Sequence, residues 1–383
     1  MLDQASHIAP LLAANASNVD VDNLFPVENL NILKEAGLMS AIIPKEFGGN
    51  GIGLKETIEI AKIIGGSCLS TGMIWAMHCQ QLACVVNHTD NPFRETFLRE
   101  IAEKNSFLGS VTTERGQGSI LSSMSPLIYG ENTVEVSRMA PIVTGGLNCD
   151  AYLITMQSDE NASATDVKLV YAWRDQLEVS ALKDTVDTMG MRGTNSIPLS
   201  FKGSVPQSQI MNKTFNFDVI AYETMIPVGH LVWASCWLGG ATKALKEMIK
   251  IFRSPQNRNK YNLNSDLFLE KIARIRIDLG IVSAVINDTL ISYEKHLSED
   301  VSKLRSPGFL IKINNLKVIS SETLFKAMND LIEISGVYFG YIKNPENQLE
   351  RVFRDLRSAS LMINNDKLLV ASGRLSLIDK SEI

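Results

Sequence analysis

The run from Phe107 to Leu121, FLGSVTTERGQGSIL, begins on the β-branched strand formers Val111, Thr112 and Thr113 and ends in a turn through Gly116, Gln117, Gly118 and Ser119. Two glycines let a backbone come close to a flat or phosphorylated ligand; they equally suit a hairpin or a bulge. Two later stretches share this character. Pro141-Ile142-Val143-Thr144-Gly145-Gly146, followed by Cys149 to Ile154, reads as strand, turn, strand, and Met189 to Ser196 (MGMRGTNS) leads into another strand. Short β-branched runs separated by Gly, Ser, Asn and Pro continue to about Met211, which predicts a β-barrel or sandwich. On either side the spacing turns helical. Leu24, Val27, Leu30, Leu33 and Leu38 recur at helix-like intervals up to Ala41-Ile42-Ile43-Pro44, and helices are expected over 54–64, 70–87 and 91–104. After Phe215, helices over 221–252, 266–296, 308–334 and 352–378 predict a four-helix bundle with interrupted first and last members. The expected fold is α+β and multidomain: an N-terminal helical domain (1–106), a middle β-domain (107–214) and a C-terminal helical bundle (215–383).

Composition removes several functions. With 383 residues, 45% hydrophobic and 21% charged, the chain can bury the cores of two or three soluble globular domains. Its net charge of −5 is built from interspersed acids and bases, so no nucleic-acid footprint appears. The longest apolar stretch, Met225 to Ala241, is interrupted by Pro227, His230 and three glycines and falls short of the roughly 20 residues a membrane span needs. Met1 to Asn15 lacks the basic start of a signal peptide. Cys68, Cys79, Cys84, Cys149 and Cys236 are odd in number and lack metal-ligand spacing, which suggests buried thiols in a reducing cytoplasm and no metal centre. Gly48 to Gly53 is glycine-rich without the Lys-Ser/Thr pair of a P-loop and reads as a turn between helices. His78 and His88 are ten apart, not the three or four that share a helix face, so core or capping roles are expected.

Taken in order and spacing, these segments resemble the acyl-CoA dehydrogenase superfamily over nearly the whole chain. Gly37-Leu38 through Pro44, Phe47-Gly48-Gly49 and Gly53 are similar to its amino-terminal helical pattern. Thr113-Glu114-Arg115-Gly116-Gln117-Gly118-Ser119-Ile120 is similar to its TEPGAGSD motif, with Arg115 replacing the proline and Ile120 the aspartate. The resemblance implies a bound FAD lying between subunits, and hence a homodimer or homotetramer. It implies that Val111, Thr113, Gly118 and Ser119 contact the isoalloxazine through backbone and hydrogen bonds, stabilising the reduced ring. Val143 and Thr144 fall in the second flavin motif, where the usual tryptophan is missing and the Thr144 hydroxyl would lie near the reactive nitrogen. Arg258 is nearest to the arginine that reaches a neighbouring subunit's flavin pyrophosphate; no Phe-Gly pair follows it, and a solvated basic loop is the alternative. Ser335 and Gly336 resemble the adenine-side GG-x-GY segment. Arg192 is either part of a turn or a bidentate phosphate contact. Arg354-Asp355 match the RD pair opening the last helix and would fix that helix in place.

The proton-handling group is the open point. Removing the α-proton of an acyl thioester while the β-hydride goes to flavin requires a base. The family's usual glutamate falls at Ile363, and its alternative site on the first bundle helix at Gly229, so neither position holds a carboxylate. Asp366 would substitute if the register shifts by one helical turn, its alternative role being a cap; His230, beside Gly229, has a pKa class suited to neutral pH, its alternative being a satisfied core histidine. Three readings follow. The first is a dehydrogenase of acyl-CoA or acyl-carrier thioesters in fatty acid metabolism, passing electrons to an electron-accepting flavoprotein. The second is a flavin-dependent monooxygenase of the same fold, using reduced FAD or FMN from a flavin reductase; those enzymes often carry a histidine in the last helix, and none follows His296 here. The third is a noncatalytic relative that uses the fold for binding.

Overall fold

Apolar helix faces form the first layer of the structure, which is a computed structural model describing residues 1–89, 93–116, 119–257, 259–343 and 347–380. Two of the expected flavin contacts, Gly118 and Arg258, lie outside the described residues. The chain starts with α1 (Leu2–Asp22), α2 (Val27–Glu35), α3 (Leu54–Ser67), α4 (Leu69–His88) and α5 (Phe93–Lys104). The leucine-spaced helix stops earlier than its pattern suggests. Gly37 takes a left-handed conformation (φ 69°) that ends α2, and Leu38–Ser40 form a short 3-10 turn. Leu30, Leu33 and Leu38 are buried, whereas Leu24 and Val27 face solvent. Gly48 and Gly51, both at positive φ, make the glycine loop the expected turn between helices.

Seven strands follow: β1 (Leu108–Val111), β2 (Ile128–Tyr129), β3 (Thr133–Val143), β4 (Ala151–Gln157), β5 (Val167–Trp173), β6 (Leu177–Ala181) and β7 (Ile197–Pro206). They form two separate sheets, β1-β4-β5 and β2-β3-β7-β6. β1 runs parallel to β4 with Leu108 opposite Ala151, while β3 pairs antiparallel with β7 and alternates buried and exposed residues along its length. The two-sheet arrangement agrees with a sandwich rather than a closed barrel. β1 ends at Val111, so Thr112 and Thr113 leave the sheet at the edge of a cavity.

The second helical set comprises α6 (Phe217–Ile220), a π-helical turn at Ala221–Met225, α7 (Ile226–Phe252), α8 (Asp266–Glu299) and α9 (Pro307–Gly336). After a second π-helical turn at Val337–Tyr341 come α10 (Leu349–Arg357), α11 (Ala359–Met362) and α12 (Asn365–Ser376). The last bundle element is therefore broken twice, and its second break leaves Ile363 in an extended conformation. α7 packs on α3 and α4 as well as on α8 and α9, so one core joins the two helical sets. No helix among the described residues is long and apolar enough to cross a membrane, none of their His, Cys, Asp and Glu side chains cluster as a metal site, and all five cysteines are buried free thiols.

Candidate active site

A cavity of about 570 Å³ opens where α4, the end of β1, the Thr144 turn, the 186–196 loop, the start of α7 and the α10–α11 break converge. β1 is aimed at it by a histidine. His78, fully buried on α4, accepts from the Leu108 N–H on Nδ1 (3.0 Å) and donates from Nε2 to the Met39 carbonyl (2.7 Å). Burial lowers its pKa to about 4, so the ring stays neutral and in the tautomer both bonds require. His88, at the end of α4, bonds the Thr224 hydroxyl (2.7 Å). Both histidines hold structure, as their spacing suggested.

The flavin-motif residues take different places. Thr113 and Thr144 line the cavity, and Thr113 donates to the Ile142 carbonyl at 3.0 Å. Val111 and Val143 are buried in the core of the β-domain. Ser119 is exposed outside the cavity, where its hydroxyl accepts from the Leu121 N–H at 3.1 Å. Glu114, in the same motif, is a structural anchor: its carboxylate accepts from the fully buried Arg138 (2.6 Å), from Ser125 (2.5 Å) and from the Met124 N–H (2.8 Å). Ser335 and Gly336 are also away from this cavity, at the C-terminal end of α9; Ser335 donates to the Leu331 carbonyl at 2.6 Å.

The loop forming another wall is tied down by the RD pair. Buried Asp355 accepts from the Met191 N–H (2.5 Å), and burial raises its pKa to about 6. Arg354 grips both oxygens of Asp20 on α1 (2.9 and 2.7 Å), bonds Glu350, and donates to the Met189 carbonyl (2.9 Å). Loop and helix approach so closely at Gly190 that a Cβ there would stand 2.1 Å from the Arg354 carbonyl oxygen. Arg192, weighed as a phosphate contact, donates instead to the Asp20 and Thr188 carbonyls (2.6 and 3.0 Å) and to the Asp187 carboxylate. Along the same wall runs a file of hydroxyls: Thr144 Oγ1 lies 3.0 Å from Ser196 Oγ, Ser196 Oγ lies 2.9 Å from Thr194 Oγ1, and Thr194 donates to the Met191 carbonyl at 2.8 Å.

The two candidate bases separate. His230 lines the cavity; its Nδ1 is 3.2 Å from the Ile313 carbonyl, its Nε2 has no partner, and burial lowers its pKa to about 4. Asp366 is corrected. It is exposed in the first turn of α12, its N–H bonded to the Asn364 side chain (2.8 Å), because the break at Ile363 starts a new helix and voids the one-turn register shift that would have brought it inward. Ile363 itself lines the cavity, and no Asp or Glu does so among the described residues. At Gly229 a Cβ would stand 2.3 Å from Nε2 of Gln80, whose amide is held by the Met225 carbonyl (2.7 Å). A side chain at that alternative base position must first dislodge Gln80.

Sequence reading passed over Gln80, Gln81, Trp233 and Lys317. Gln81 Oε1 and Trp233 Nε1 belong to cavity-lining residues and, like His230 Nε2, are buried without partners. Buried polar atoms left open in this way fit a site that a polar ligand completes. Lys317 is buried on α9 and donates to the carbonyl of Ile363 and to Asn365 Oδ1 (2.7 Å), while burial lowers its pKa to about 8. Its signal was visible: it falls on the apolar stripe that includes Ile313, Leu316, Leu324, Ala327 and Leu331. Buried amides and indoles carry no comparable mark.

Hydroxyls on one wall, six methionines around the rest, and open polar atoms at a junction of sheet and helices are suited to a flat, amphipathic redox cofactor such as a flavin. The sequence profile of the acyl-CoA dehydrogenase N-terminal domain matches residues 5–105, and that of the C-terminal domain matches residues 220–362. The chain belongs to the acyl-CoA dehydrogenase family, and so to the FAD-dependent oxidoreductases. Among similar proteins are the acryloyl-CoA reductase (NADH) of Anaerotignum propionicum, 22% identical over 89% of this chain and 84% of that protein, and the cyclohex-1-ene-1-carbonyl-CoA dehydrogenase of Syntrophus aciditrophicus, 23% identical over 93% and 84%. The same fold is found in FMN-bound TdsC from Paenibacillus sp. A11-2 (TM-score 0.85, 18% identity, 98% and 97% coverage). It is also found in butyryl-CoA dehydrogenase from Megasphaera elsdenii (TM-score 0.83, 16% identity, 99% and 97% coverage).

Proposed function

We propose that this chain moves a hydride between FAD and the β-carbon of an acyl-CoA or acyl-carrier thioester, with His230 taking the place of the missing carboxylate. The observation that carries this reading is the state of His230. A carbonyl can only accept, so the bond to Ile313 puts the ring hydrogen on Nδ1 and leaves a free lone pair on Nε2. Burial keeps the ring uncharged at neutral pH, in the form that accepts a proton. FAD, when bound, supplies the hydride acceptor. Thr113 and Thr144 form the wall against which it would lie, with Val111 and Val143 packed behind them, while the loop fixed by Arg354 and Asp355 positions the substrate and excludes water. Curated relatives named as acyl-CoA reductases and dehydrogenases support the thioester, and with it a place in fatty acid metabolism. An electron-accepting flavoprotein completes the cycle, and the buried free thiols fit a cytoplasmic setting.

The absence of Asp and Glu from the described cavity lining favours a second reading, a monooxygenase supplied with reduced flavin by a partner reductase. One experiment separates the two. FAD-loaded protein is mixed anaerobically with a panel of saturated acyl-CoAs while the visible flavin absorbance is followed. Bleaching supports the dehydrogenase. No bleaching, together with tight binding of externally reduced flavin, replaces it with the monooxygenase, and failure to bind flavin in either state leaves a noncatalytic relative.

A further inference from the structure

We infer that the Thr144–Ser196–Thr194 file points an acceptor, not a donor, into the cavity, and that the site therefore favours reduced over oxidised flavin. The direction follows from one fixed end. Thr194 Oγ1 lies 2.8 Å from the Met191 carbonyl, which can only accept, so the single Thr194 hydroxyl hydrogen is committed there. The 2.9 Å bond between Thr194 and Ser196 must then be donated by Ser196, and the 3.0 Å bond between Ser196 and Thr144 by Thr144. Each hydroxyl has one hydrogen, so Thr144 keeps only lone pairs for a ligand. All three residues and Met191 line the cavity.

The fixed end is itself held. The Met191 N–H is bonded to buried Asp355 at 2.5 Å, and Gly190 leaves no slack against the Arg354 carbonyl. The Met191 carbonyl cannot swing away to release the Thr194 hydrogen without breaking that anchor. A wall that accepts hydrogen bonds discriminates between the redox states of an isoalloxazine at the reactive ring nitrogen, which the family resemblance places near Thr144: that nitrogen is a bare acceptor in the oxidised ring and an N–H in the reduced one. Two acceptors facing one another lose a hydrogen bond and repel; an N–H facing the same oxygen makes one. This inference rests on the flavin site proposed above and adds its redox preference.

The test compares dissociation constants of oxidised FAD and dithionite-reduced FAD, measured anaerobically by titration, for the native chain, Ser196→Ala and Ser196→Thr. In the native protein reduced FAD should bind more tightly. Ser196→Ala frees the Thr144 hydroxyl to turn and donate, so the ratio of the two constants should move toward the oxidised state by on the order of five-fold, one net hydrogen bond. Ser196→Thr keeps the relay and should retain the native ratio. A ratio unchanged in Ser196→Ala, with flavin still bound, overturns the inference and leaves the flavin site standing. Failure of the native chain to bind FAD in either state overturns both.

Discussion

At the scale of single residues, His230 and Asp366 show why a candidate base must be judged by its surroundings. Both were chemically eligible in the sequence, but only His230 lines the cavity. His230→Gln preserves a polar group of similar reach and removes the basic nitrogen. It should slow flavin reduction by the best acyl-CoA by about a hundred-fold or more, with FAD binding within about two-fold of native, a change too small to signal a lost hydrogen bond; rapid-mixing absorbance and a binding titration read the two effects. Asp366→Asn should leave both unchanged, since the side chain is exposed on α12, and a loss of turnover in that variant would return the base to Asp366. The hydroxyls Thr113 and Thr144 were legible because motif spacing placed them. Gln80, Gln81 and Trp233 were not, because an amide or indole within an apolar helix looks the same in sequence whether its partner is protein or ligand.

At the scale of elements, the break between α11 and α12 matters most. The sequence predicted an interrupted final helix, but not that Ile363 would sit extended at the cavity wall, since the break depends on a lysine from another helix. Lys317 bonds the Ile363 carbonyl and Asn365 across the gap. Burial depresses the folded pKa of Lys317 to about 8 from 10.5. In that window the unfolded chain binds the extra proton, so the contribution of Lys317 to stability is full above pH 10.5 and is lost as pH falls through 8. Native protein should therefore gain stability relative to Lys317→Met between pH 8 and 10.5, as chemical denaturation at several pH values would show. Parallel curves would mean that the buried amine does not titrate there. The same break gives a gain-of-function test. Ile363→Glu puts a carboxylate on the cavity wall in place of an apolar side chain and should raise the rate of flavin reduction by acyl-CoA by roughly ten-fold to a hundred-fold. Gly229→Glu should not, because Gln80 occupies the space its side chain needs.

At the scale of the whole molecule, the order of helices, sheets and helices was readable because each change of sequence period coincides with a change of element. Which surfaces stay uncovered was not readable, because exposure is decided by neighbours distant in the chain. α8 buries seven of its 34 residues, yet Ile277, Ile281 and Ile291 on it are 60%, 44% and 66% exposed. At 100° per residue these three fall within about 80° of arc and form one apolar stripe. On α12, Leu369 and Val370 are exposed as well, as is Leu377 just beyond its end. Such surface is costly to leave in water and fits a subunit interface. Ser335 and Gly336, which resemble a flavin-binding segment, lie at the end of α9 away from the chain's own cavity. Both facts are met if copies of the chain associate and the exposed backbone at Gly336, with buried Ser335 behind it, serves a neighbour's cofactor. The paired change Ile277→Lys with Ile291→Lys places like charges in that stripe, where self-association would bring them together. It should convert an oligomer to a monomer in analytical ultracentrifugation and weaken FAD binding by about ten-fold or more, one to two hydrogen bonds lost with the neighbour. A variant that becomes monomeric but binds FAD as tightly as native would show that each cavity holds its cofactor alone, and one that keeps its native size would place the interface elsewhere.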